Sequence, residues 1–76
     1  MNNIRRKAIH NIISRINDLQ SDVQTVADEE QEYRDNAPEN MEYSEKYERA
    51  EEVASELETI AGELEDFVSR LEDAIE

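Results

Sequence analysis

Carboxylates are the side chains this chain holds in greatest chemical quantity: 21 Asp and Glu in 76 residues. The densest group is Asp28, Glu29, Glu30, Glu32 and Asp35. Clustered acids can bind a divalent cation or move protons. A calcium loop, however, needs the order Asp-x-Asp-x-Asp-Gly. That order is missing, and on a helix these five side chains fan around the axis instead of converging. A di-metal site in a bundle needs a Glu-x-x-His pair facing inward. The single histidine, His10, has Lys7 three residues before it. It is expected as a partly exposed residue beside the acidic end of a second helix. Cysteine is absent, which removes thiolate ligands, thiol nucleophiles and disulfides. No Gly-rich turn can raise a Ser nucleophile or cradle a phosphate. The residues therefore point to a non-enzyme with no catalytic residue, no metal and no cofactor.

The charge itself is informative. Residues 1–17 carry Arg5, Arg6, Lys7 and Arg15 and no acid, while residues 18–76 hold all 21 acids against Arg34, Lys46, Arg49 and Arg70. One short basic cluster on a chain of net charge −13 would be repelled by nucleic acid overall, so direct DNA binding is not expected. The acidic part has a rod-like charge density. On helices about 45 Å long it approaches that of duplex DNA, about one charge per 1.7 Å. Two readings follow. The acid mimics nucleic acid in the cationic groove of a basic protein, or it keeps a helical bundle dissolved.

These side chains must be positioned by helices. One Gly and one Pro leave too few turns for a sheet. In the second half, apolar columns recur every seven residues: Val53/Ile60/Phe67/Ala74, Ala54/Ala61/Val68/Ile75 and Leu57/Leu64/Leu71. That spacing predicts a helix with coiled-coil packing. In the first half, Ile9, Ile12, Ile16, Leu19, Val23 and Val26 form a stripe, with Tyr33 resuming it after Glu30 and with Ile4, Ala8, Ile13 and Ala27 at its flanks. Pro38 breaks the helix, Asn36 suits a C-cap and Ser44 an N-cap. The expected fold is all-α: one domain over 1–76, with helices at about 3–34 and about 44–75 and a loop at about 35–43. A short connection makes the helices antiparallel neighbours, with Met41 and Tyr43 covering the loop end. The basic start would then pair with Glu72, Asp73 and Glu76.

Three apolar columns exceed what one partner helix covers. A dimer of hairpins forming a four-helix bundle is therefore expected. The residues assigned to self-association are Ala54, Ala61 and Val68, with the small column Ser55, Gly62 and Ser69 allowing close approach. No apolar run is long enough to span a membrane, and no leader is evident, so a cytoplasmic protein is expected.

The loop Tyr33-Arg-Asp-Asn-Ala-Pro-Glu-Asn40, the stretch Ser44-Glu-Lys-Tyr-Glu-Arg-Ala and the Arg-Arg-Lys start resemble a group of small acidic helical proteins encoded by phages and mobile elements of Gram-positive bacteria. The resemblance implies a context: such proteins often inhibit host defence or host nucleic-acid enzymes. It also draws attention to the loop, which holds more polar and aromatic residues than a connector needs. Asp28, Glu29, Glu32, Tyr33, Arg34, Asp35, Asn36, Glu39, Asn40 and Tyr43 are the candidate contacts for a basic protein partner. The loop residues could equally close the bundle end. A further alternative is a small ligand held there by Tyr33, Tyr43 and Tyr47.

Overall fold

The computed structural model describes residues 1–38, 40 and 44–76. Two helices, α1 (Asn3–Asp35) and α2 (Glu45–Ala74), make up the described fold. Both are within a residue or so of the expected bounds. Glu39, Met41, Glu42 and Tyr43 lie outside the described residues, and with them the readings placed on Glu39, Met41 and Tyr43.

The caps explain where α1 starts and stops. Asn2 is its N-cap, and the Asn2 side chain accepts from the Arg5 backbone N–H at 2.8 Å. Asn36 is its C-cap, and its N–H donates to the Glu32 carbonyl at 3.0 Å. Ser44 occupies the N-cap of α2 as expected, but its Oγ makes no capping bond and is buried without a partner among the described residues. Glu45 and Glu48 in the first turn suit the positive end of the α2 dipole.

The helices pack against each other along their length and run antiparallel. Tyr33 near the end of α1 stacks beside Tyr47 near the start of α2, with ring centroids 5.2 Å apart. Ile16 in the first half of α1 shares a surface hollow with Phe67 and Leu71 in the second half of α2. The result is a thin rod, 60 × 14 × 12 Å between Cα extremes.

Burial identifies the seam. In a heptad abcdefg, positions a and d face the partner helix. On α2, a is Tyr47, Ala54, Ala61, Val68 and Ile75, and d is Ala50, Leu57, Leu64 and Leu71; every one is buried or half-buried. On α1 from Ile9 onward, a is Ile13, Gln20, Ala27 and Arg34, and d is Ile9, Ile16, Val23 and Glu30, again all buried or half-buried, while Arg6, the a position of the first turn, is exposed. Among the described residues, alanines supply four of the six buried apolar positions: Ala27, Ala50, Ala54 and Ala61. Such small side chains let the two backbones come close. The cost is a shallow core, in which no large side chain is completely buried.

The seam differs from the expected stripe in two respects. On α1, Ile12, Leu19, Val26 and Tyr33 fall one place before the a column, at g, and stay 37–55% exposed. Ile13 and Ala27, expected only at the flank, are the buried residues of α1. On α2, Ala54 and Ala61, at 0% and 3% exposed, and Val68 at 7%, are used inside the hairpin. α1 already covers them, so they are not available to a second copy.

The basic start of α1 does not form the expected ion pairs. Among the described residues the ion pairs are Arg34–Glu51 at 3.4 Å and Arg49–Glu52 at 3.1 Å. Arg5 is at g and Glu72 at e, on opposite flanks of the seam, and Asp73 is at the outward f position. Such exposed pairs would each be worth at most about 1 kcal/mol.

Candidate functional surfaces: an acidic flank and an apolar flank

An antiparallel hairpin has two flanks beside its seam. One is formed by the g and c columns of both helices, the other by the e and b columns. Two contacts confirm this pairing. Lys46 and Tyr33, both at g, meet with the ammonium 5.6 Å from the ring centroid. Arg34 at a reaches Glu51 at e on the other side.

The e flank is acidic. On α2 it presents Glu51, Glu58, Glu65 and Glu72, all exposed and seven residues apart. At 1.5 Å per residue that is about one carboxylate every 10 Å. The neighbouring e column of α1 is His10, Asn17, Gln24 and Gln31, which adds no acid. Sequence reasoning passed over this ladder because acids are dense throughout α2. Sorting them by heptad position is the step that separates it out.

The g flank is apolar. Ile12, Leu19, Val26 and Tyr33 run along α1, and Ile60 and Phe67 run along α2. Val53, half-buried, precedes Ile60 in the same column of α2. Arg70 packs over the outer side of this stripe, with its guanidinium 5.6 Å from the Phe67 ring centroid. The charges bordering the stripe are of both signs: Asp22, Glu29, Glu56 and Glu63 at c, with cations at both ends.

The residues expected to contact a partner near the hairpin tip do not form one surface. Asp28 and Asp35 lie on the b column, where Gln24 and Gln31 donate to them at 3.0 Å. Glu29 is at c and Glu32 at f, so the cluster spreads around α1. Tyr33 and Arg34 are engaged with α2 through Tyr47, Lys46 and Glu51. The Tyr33 hydroxyl, and then the electrostatics of the Tyr33 and Tyr47 side chains, hold the Lys46 ammonium above the ordinary lysine value. Asn36 and Asn40 are exposed. Of the small column, Ser55, Gly62 and Ser69 are exposed at b, and a methyl group added at Gly62 would meet nothing within 4 Å.

Among the described residues, no three Asp, Glu or His side chains are placed to hold a metal ion. No described helix is long and apolar enough to cross a membrane. The hollows on the surface are shallow, and several lie along one helix alone, such as that lined by Glu48, Glu51, Glu52, Ser55 and Glu56.

Seam, caps and flanks together define an antiparallel helical hairpin of coiled-coil type with two unlike sides. No protein-family model matches the chain, and no curated protein or solved structure matches it.

Proposed function

We propose that the chain is a non-enzymatic acidic interaction protein that acts as a dimer of hairpins and binds a basic, nucleic-acid-binding protein. The observation that carries this reading is the segregation of charge. The Glu51/Glu58/Glu65/Glu72 ladder lies on one flank, and the apolar stripe lies on the other. A basic partner reads the first, and the bundle is completed through the second. The resemblance to small phage and mobile-element proteins favours an inhibitor of host machinery, with a cytoplasmic target.

Strict nucleic-acid mimicry is the weaker form of this reading. The rod is 60 Å long rather than about 45 Å, and the whole chain carries −13. That is about one net charge per 5 Å, roughly a third of the density of duplex DNA. A dimer would double it and still fall short. The geometry favours steering and docking of a basic surface over substitution for a duplex.

Affinity capture on the immobilised chain tests this. Basic nucleic-acid-binding proteins are expected to be retained at low salt and released as ionic strength rises. Replacing Glu51, Glu58, Glu65 and Glu72 together by Gln is expected to weaken capture about tenfold or more. Capture unaffected by salt and by those four changes would contradict the assignment.

A further inference from the structure

We infer that the g flank is the interface between two copies of this chain, packed face to face through Ile12, Leu19, Val26, Tyr33, Ile60 and Phe67. The inference rests on the dimer reading above and assigns it a surface. That surface is different from the Ala54/Ala61/Val68 column, which is consumed within the hairpin.

Three observations select a second copy as the occupant. The first is the unfinished core. The hairpin buries mostly alanine and leaves its larger side chains half wet: Leu19 at 55%, Phe67 at 49% and Val26 at 47% exposed. Leu57, Leu64 and Leu71 at d are only half-buried and border this same flank. A layer laid over g would bury both columns at once.

The second is charge. Two copies of −13 repel each other unless they meet where the charge is locally balanced. The g and c columns are that place. Arg5, Arg15, Lys46, Arg49 and Arg70, five of the eight Lys and Arg, lie there beside the four bordering acids. The same fact disfavours a basic partner on this face, because its acids are already offset by neighbouring cations, whereas along the Glu51/Glu58/Glu65/Glu72 ladder of the other flank only Glu51 pairs with a cation among the described residues.

The third is size. From Ile12 to Tyr33 the stripe is about 32 Å long, and two helices abreast are about 20 Å wide. That gives about 640 Å² per copy and about 1,300 Å² for the pair, inside the range of stable specific interfaces. An alternative two-helix contact through Ser55, Gly62 and Ser69 offers neither large apolar side chains nor balanced charge.

Sedimentation equilibrium of the full chain and three variants decides the matter. The wild type is expected at twice 8.9 kDa at micromolar to millimolar concentration. Leu19→Lys and Ile60→Lys each make the chain less negative, so a higher net charge cannot explain a loss of association. Both are expected to weaken the dimer about tenfold or more, while far-UV circular dichroism shows helicity retained. Gly62→Leu, on the b column, is expected to leave the dimer intact. A wild-type dimer that persists in both Lys variants, or that Gly62→Leu breaks, would overturn the choice of face while leaving self-association standing. A wild type at 8.9 kDa throughout would overturn the face and the dimer reading together, and leave the acidic flank to be judged by capture alone.

Discussion

Ala54→Asp is expected to unfold the hairpin, while Ser55→Asp, one residue along, leaves it folded. Ala54 is at 0% exposure, against α1. A carboxylate there would lose its hydration with no cation opposite it. An uncompensated buried charge costs about 3–5 kcal/mol, and the aspartate is also larger than the alanine it replaces. A hairpin with six buried apolar residues among those described has little reserve against such a loss. Ser55 is exposed at b, so an aspartate there stays solvated and is expected to cost only about 1 kcal/mol, from repulsion by Glu51, Glu52 and Glu58 on the adjoining turns. Urea unfolding followed by circular dichroism measures both. Equal effects would mean that the seam does not run through the Ala54/Ala61/Val68 column.

Leu64→Ala is expected to cost about 2 kcal/mol, the lower end of the range for a buried leucine. Leu64 sits at d and is half-buried in the hairpin. It borders the apolar flank, so a second copy laid over that flank would bury it further. The cost is therefore expected to rise with protein concentration, toward the upper part of that range of about 2–5 kcal/mol. Unfolding curves at dilute and concentrated protein separate the two contributions. A cost below about 1 kcal/mol at both concentrations would remove Leu64 from any core.

The helices, their caps at Asn36 and Ser44 and their antiparallel arrangement were legible in the sequence, because the heptad columns of α2 and the single Pro leave little choice. The identity of the seam on α1 was less so. The alternating three-and-four spacing selected Ile12, Leu19, Val26 and Tyr33 together with Ile9, Ile16 and Val23. The fold turned Ile13, Gln20, Ala27 and Arg34 inward in place of the first four. Backbones that approach over alanine seams leave large side chains to the flank, and the stem of Arg34 can cover the seam while its charge reaches Glu51. The same rule reversed the roles on α2. The Ala54/Ala61/Val68 column suits close approach within the chain, and Ile60 and Phe67 remain outside.

The candidate site divided in the same way. Asp28, Glu29, Glu32 and Asp35 are conspicuous as a run, but a run on a helix is a spiral, and they share no face. The four glutamates of the e flank are conspicuous only once the seam is known. Tyr33 and Arg34 were read either as a binding edge or as a closure of the bundle end; their contacts with Tyr47, Lys46 and Glu51 support the closing role.

If a second copy covers the apolar flank, the side chains on that flank lose their contact with water as the chains associate. The chain has a single phenylalanine, Phe67, and it lies on that flank at 49% exposure in the hairpin. A 4-fluorophenylalanine at this position reports its contact with water through the fluorine shift difference between H2O and D2O. A water-sensitive resonance is expected in dilute protein, moving and losing its solvent isotope shift as concentration rises and two copies associate. A resonance that stays equally water-sensitive as the concentration rises would contradict that assignment.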